Sequence, residues 1–201
     1  MEALYTILIW NHRGEIMRYI NEIPILLIFF TLICYISIRL IYIKRKNIKL
    51  KLNLEITIIL LIVYIECLLY LTLFPSSPGP NNEVKVNIIP FETINLYLNY
   101  HNNLPLQIIN LVGNVVVFVP IGLILPLLFK KMSFIKMLFI GFASTLFIET
   151  MQLILSINRI ISRSFDVDDL ILNTIGVVIG YVFWIVIHKL YKGWKDGWST
   201  S

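Results

Sequence analysis

The chain is short of charge, of histidine and of cysteine. Only 14% of its residues are Asp, Glu, Lys or Arg, well below the soluble average of about 25%. The three histidines, His12, His101 and His188, are widely separated, and the sequence contains no Ser-His pairing, no HExxH and no P-loop. These absences remove the commonest signatures of hydrolases, zinc enzymes and nucleotide-binding proteins. Cys34 and Cys67 both fall inside apolar runs. They offer neither metal-ligand spacing nor a disulfide framework, and are expected to pack as buried apolar side chains. No cleavable signal peptide is evident: the first long apolar run begins near Ile23, behind a mixed-charge stretch and without a small-residue cleavage site. There is no internal repeat.

What the chain has is apolar length. Hydrophobic residues make up 58% of its 201 residues, and the mean hydropathy is +0.81. Five runs, at about 23–43, 52–74, 108–129, 134–155 and 168–188, each suffice to cross roughly 30 Å of hydrocarbon as a helix. The sequence therefore predicts an all-α integral membrane protein, a bundle of about five transmembrane helices. Residues 1–22 form an N-terminal interfacial segment anchored by Tyr5 and Trp10, residues 23–188 a single helical membrane domain, and residues 189–201 a cytoplasmic tail whose GWKDGWSTS end is expected to be flexible.

The net charge of +5 is read as orientation in a membrane, not as nucleic-acid binding, because the bases cluster between the apolar runs. Lys44, Arg45, Lys46, Lys49 and Lys51 follow the first run. Lys130, Lys131 and Lys136 follow the third, and Lys189, Lys192 and Lys195 follow the fifth. The alternate connections hold only Lys85, or Arg159 and Arg163. The positive-inside rule then places the N-terminus outside and the C-terminus in the cytoplasm. The long connection 75–107 becomes a partly helical extracellular loop. Its opening, LFPSSPGPNN, forbids regular structure, and Pro90 can occupy the first turn of a short helix lying at the interface.

Polar groups within the runs are costly and call for partners. Glu66, Asn110, Asn114, Glu149, Gln152 and Asn173 all fall in the outer half of the membrane under this topology. Asn110 and Asn114 share a helical face, as do Glu149 and Gln152. Asp169, Asn173, Gly176 and Gly180 descend one stripe. The GxxxG formed by Gly176 and Gly180 is read as packing within the chain. Pro120 and Pro126 are expected to bend the third span or simply to be tolerated there. The stretch RSFDVDDLILNTIG sets Asp166, Asp168 and Asp169 at the mouth of the last span. One of Asp168 and Asp169 is expected to cap that helix.

Four blocks in order, VNIIPFETI, NLVGNVVVFVPIGLILPLL, ETMQ and RSFDVDDLILNTIGVVIGY, resemble the VanZ-like membrane proteins over about residues 64–181. The matching positions are Asn87, Pro90, Phe91, Asn110, Gly113, Asn114, Phe118, Pro120, Gly122, Glu149, Gln152, Arg163, Asp166, Asp168, Asp169, Asn173 and Gly176. The resemblance implies a bacterial plasma-membrane protein related to one linked to teicoplanin resistance, with other members linked to lipoglycopeptides. It supplies no catalytic residue.

Three readings follow. In the first, an outward-facing cluster of Asn110, Asn114, Glu149, Gln152, Arg163, Asp166, Asp168, Asp169 and Asn173, supported by Glu66, Asn87, Pro90 and Phe91, binds an amphiphile. That ligand is an envelope lipid, a lipid-linked cell-wall precursor or a lipoglycopeptide, and Arg163 contacts its anion. In the second, the chain is an enzyme acting on an envelope lipid through Glu149 with Asp166 or Asp169. In the third, the cluster only joins the helices, with Arg163 paired to Asp166 or Asp169. Membrane lipids are the expected partners, no cofactor or metal is expected, and nothing in the sequence sets the oligomeric state.

Overall fold

The computed structural model describes residues 25–73, 84, 86–99, 104–129, 131–158, 160–161 and 163–198. The expected interfacial segment 1–22 lies outside them, as do residues 74–83, Lys85, His101, Lys130 and Arg159. Two compact units, Met1–Phe74 and Pro75–Ser201, are taken in turn.

The first unit contains α1 (Ile25–Lys46) and α2 (Leu52–Leu73). Asn47 ends α1 in the left-handed conformation, with φ 50°. The next amide, Ile48 N–H, turns back to the Ile43 carbonyl at 3.3 Å. Asparagine tolerates this conformation, and the bond satisfies one carbonyl of the last turn. Across the hairpin, the Arg39 guanidinium donates to both Glu55 carboxylate oxygens, at 2.7, 2.9 and 3.0 Å. The Tyr35 hydroxyl donates to Glu55 at 2.7 Å. The sequence reading of membrane-embedded polar groups did not include this set. Two helices with bland apolar faces have little to fix their register, and one multidentate ion pair supplies it. Glu55→Gln is therefore expected to lower the thermal midpoint of the solubilised protein. Thr57→Val, which removes a hydroxyl bonded only to its own helix, should leave it unchanged.

Cys34 is half-buried and Cys67 exposed, so neither is the fully buried residue expected. The outward face of a membrane helix meets lipid, which accepts an apolar thiol as readily as a protein core does. Glu66 lies midway along α2, and its buried Oε2 has no hydrogen-bond partner among the described residues.

The second unit contains β1 (Val86–Asn87), α3 (Glu92–Leu98), α4 (Leu104–Leu128), α5 (Phe134–Ile157), β2 (Phe165–Asp166) and α6 (Val167–Trp198). Five helices in the chain, α1, α2, α4, α5 and α6, are long and apolar enough to span a membrane. The protein is a multi-pass, essentially all-helical membrane protein. The expected spans hold to within about four residues.

Helix α4 runs unbroken through Pro120 and Pro126 and lies parallel to α6. Asn114 meets Asp169 near the start of both helices, and Val115 meets Gly176, then Val119 meets Gly180, further along. Helix α5 runs the other way against α6: Glu149 meets Asp166, Thr145 meets Asn173, and Gly141 meets Val177. A β-carbon added at Gly122, Gly176 or Gly180 would fall 2.0–2.1 Å from a backbone carbonyl oxygen of the facing helix. The GxxxG thus joins α6 to α4 within one chain, as expected. Deeper in the unit, Phe118, Met137 and Val177 are fully buried. The Tyr181 hydroxyl donates to the Met132 carbonyl at 2.7 Å, tying α6 to the chain entering α5.

Two features depart from the sequence reading. Residues 189–198 are helical and continue α6; the end expected to be flexible from Gly193 is helical as far as Trp198, because neither Gly193 nor Gly197 interrupts the i→i−4 hydrogen bonding. A two-residue parallel pair, β1 with β2, also joins Val86 to Phe165 and Asn87 to Asp166.

Candidate polar site at the loop end of α4, α5 and α6

Packing of α6 against a parallel α4 and an antiparallel α5 brings the start of α4, the end of α5 and the start of α6 to one end of the unit. Five of the six polar residues expected at one level therefore share that level. Glu66 belongs to the first unit.

The three aspartates have three different duties. Helix α6 begins at Val167, so Asp166 occupies its N-cap, and its Oδ1 accepts the Asp168 N–H at 2.9 Å. This is an aspartate cap of the usual kind, made two residues before the first of the two expected. Asp166 also binds outward: Asn87 Nδ2 donates to its Oδ1 at 3.0 Å, and the Thr93 hydroxyl to its Oδ2 at 2.6 Å. Asn87 holds its own loop in turn, with Nδ2 to Thr93 at 3.0 Å and Oδ1 accepting the Ile89 N–H at 3.0 Å.

Asp168 caps a different helix altogether. Its side chain is wholly buried. Its two oxygens accept the N–H groups of Phe91 at 2.6 Å and Ile94 at 3.0 Å, the N-cap and third residue of α3. Phe91 is left-handed, with φ 68°, and α3 has no cap from its own side chains. This conformation is costly for a non-glycine residue. It also places Pro90 before the helix, not in its first turn as expected. The carboxylate of Asp168 compensates, because both amides would otherwise be unsatisfied. Pro90 and Phe91 are themselves exposed, and act through their backbone.

Asp169 turns inward and accepts a short hydrogen bond from Asn114 Nδ2 on α4. Glu149 is 2% exposed, and its Oε2 accepts the Asp166 N–H at 3.1 Å. One turn deeper, Asn173 Nδ2 donates to Thr145 Oγ1 at 2.9 Å, while the buried Asn173 Oδ1 has no partner among the described residues. Arg163 is half-buried. Its N–H donates to Ser156 Oγ at 3.1 Å, and that hydroxyl donates to the Arg163 carbonyl at 2.7 Å. Asn110, Gln152 and Arg163 carry further interactions, so none of their side chains is free. Tyr97 on α3 registers the anionic surroundings: burial, then the charges of Asp169 and Asp166, hold its phenol above the ordinary value.

The structure thus splits the expected cluster into two tiers. Asp166, Asp168, Asn87 and the Phe91 amide form an outer clasp. Asp169, Asn114, Glu149, Asn173 and Thr145 form an inner seam between the helices. Among the described residues no three or more His, Cys, Asp or Glu side chains converge as a metal site. Thr93, Thr145 and Ser156 are participants that the sequence reading did not single out. Thr145 had a signal, since it lies one turn from Glu149 on the same face.

The VanZ/LLP1 family model matches residues 61–188, a span that contains every residue of the clasp and of the seam. No curated protein and no solved structure matches the chain. The stretch 64–181 that resembles this family block by block lies inside the matched span, which covers well over half of the sequence, and the chain belongs to the VanZ/LLP1 family.

Proposed function

We propose that the protein binds an amphiphile of the bacterial envelope at the loop end of α4, α5 and α6. The reading rests on the inner seam. Glu149 and Asp169 bring two carboxylates between the helices, and the buried Asn173 Oδ1 has no hydrogen-bond partner among the described residues. Carboxylates offer about four acceptor sites each, and buried polar atoms without partners are costly. The seam is therefore rich in acceptors. The group that completes it brings donors, as sugar hydroxyls or an ammonium do. An envelope lipid, a lipid-linked cell-wall precursor or a lipoglycopeptide carries such groups beside an apolar tail, and the outward faces of α4–α6 suit that tail. On this reading the protein contributes to glycopeptide or lipoglycopeptide resistance by holding the amphiphile.

The protein lies in the bacterial plasma membrane with the loop end outside and the C-terminus in the cytoplasm. The lysine pattern supports that orientation. A Lys46→Cys protein should then escape labelling by an impermeant thiol reagent in intact cells; labelling from outside would invert the assignment.

The clasp favours a different role for its own residues. Every carboxylate oxygen of Asp166 and Asp168 accepts from a neutral donor of the chain, so these two hold the loop and are not the ligand contacts. The test separates the two tiers. Glu149→Gln and Asp169→Asn are expected to leave the folded yield unchanged, to reduce co-purified amphiphile by mass spectrometry, and to lower lipoglycopeptide tolerance in cells. Normal lipid retention by both variants would reject the binding role.

A further inference from the structure

The family match begins at residue 61, beyond the turn that joins α1 to α2. That turn reads KRKNIKLK from Lys44 to Lys51, with five cations in eight residues, and every residue in it is exposed. None of the five makes an ion pair among the described residues. The acid nearest to them in sequence, Glu55, is already occupied by three contacts from Arg39 and one from Tyr35. The other acid of the hairpin, Glu66, lies eleven residues further along α2, about 16 Å by helical rise. The hairpin therefore neutralises one guanidinium internally and leaves five positive charges facing out.

Apolar residues are interleaved with these charges. Ile48, Leu50 and Leu52 are 43%, 51% and 63% exposed and alternate with Lys49 and Lys51. The left-handed Asn47 stops α1, and α2 begins only at Leu52. Both helices are membrane spans by length and composition, so the turn between them sits at headgroup depth. Exposed apolar side chains beside unpaired lysines suit the boundary between acyl chains and phosphates.

We infer that the α1–α2 turn is a binding site for anionic phospholipid headgroups. Lys49 and Lys51 contact the phosphates, Ile48 and Leu50 insert beside them, and Lys44, Arg45 and Lys46 extend the positive field. Charge complementarity selects this occupant over a zwitterionic lipid, and the exposed isoleucine and leucines select a lipid surface over an acidic protein segment.

The test uses the full-length protein in a neutral detergent, titrated with phosphatidylglycerol or phosphatidylcholine while thermal unfolding is followed. Phosphatidylglycerol is expected to raise the thermal midpoint and phosphatidylcholine to leave it unchanged. The double variant Lys49→Gln, Lys51→Gln should match the parent without lipid, because neither side chain has a partner to lose. It should need roughly tenfold or more phosphatidylglycerol for the same shift, at about fivefold per lysine. High salt should abolish the difference. A control, Lys189→Gln with Lys192→Gln, removes two exposed lysines from α6 and should respond like the parent. An equal response to both lipids, or equal weakening in the control, would overturn the site. So would binding of a soluble polyglutamate peptide as tight as binding of phosphatidylglycerol.

Discussion

Asp168→Asn is expected to free residues 86–99 from the end of α6 while leaving α4, α5 and α6 helical. An amide nearly matches a carboxylate in shape, so little packing changes. Its chemistry fails, however. The parent carboxylate accepts from two backbone amides, Phe91 N–H and Ile94 N–H. Asparagine has one oxygen to offer, and its NH2 group must face the other amide, donor against donor. Hydrogen bonds to charged groups contribute about 1.5–3 kcal/mol each. The loss of one, with the other left neutral, makes local opening easier by about 2–3 kcal/mol. Hydrogen exchange of the Phe91 and Ile94 amides should quicken roughly 30- to 150-fold. The left-handed Phe91 adds to the effect, since its conformation is costly once the cap is weakened. Phe91→Gly in the same background should recover part of the loss by removing the conformational cost. Unchanged exchange in Asp168→Asn would mean that the carboxylate does not cap α3.

Gly176→Ala is expected to be among the most damaging single-methyl substitutions in the second unit. The new β-carbon would lie 2.1 Å from the Val115 carbonyl oxygen, and that atom belongs to the backbone of α4, so no rotamer change relieves it. The helices must part by about 1 Å along a seam that Gly122 and Gly180 close in the same way. Overpacking costs about 1–3 kcal/mol in typical cores, and a backbone-to-backbone clash belongs at the upper end. The matching control is Gly113→Ala. Gly113 lies on α4 too, but a β-carbon there meets nothing within 4 Å. Alanine also favours helix over glycine by up to about 1 kcal/mol, so this variant should unfold at the same temperature as the parent or slightly above it. Thermal unfolding of both in one detergent decides the matter. Equal midpoints for the two would show that α4 and α6 are not joined through Gly176.

The spans were legible because their signal is one-dimensional. Twenty apolar residues between lysines read as a membrane helix wherever they pack; α2, α4 and α5 begin and end close to the expected residues, and α6 begins there but runs on to Trp198. The shared level of Asn114, Glu149 and Asn173 was legible too, since alternation of direction alone brings them together. Partners were not legible. Spacing tells which face of α6 carries Asp169 and Asn173, but not that Asp168 reaches a helix more than seventy residues earlier. The capping aspartate was placed two or three residues late, because the helix starts at Val167 and the cap is the residue before it. The Arg39–Glu55 pair was hidden by its position near the ends of its helices, where charge reads as flank and not as an embedded group. The β1–β2 pair is two residues long, below what period-two alternation can signal.

The cap on α3 also orders events in time. Phe91 and Ile94 wait for a carboxylate 77 and 74 residues further along the chain, and Asn87 waits for Asp166, 79 residues away. Contacts so distant in sequence form late. While the chain is being made and inserted, the 86–99 segment has no means of completing its hydrogen bonds until the last span arrives. Chains ended before Asp166 should place α4 and α5 in the membrane and still present this segment to proteases. Quality control at the membrane therefore has a site at which to tell a finished molecule from an unfinished one.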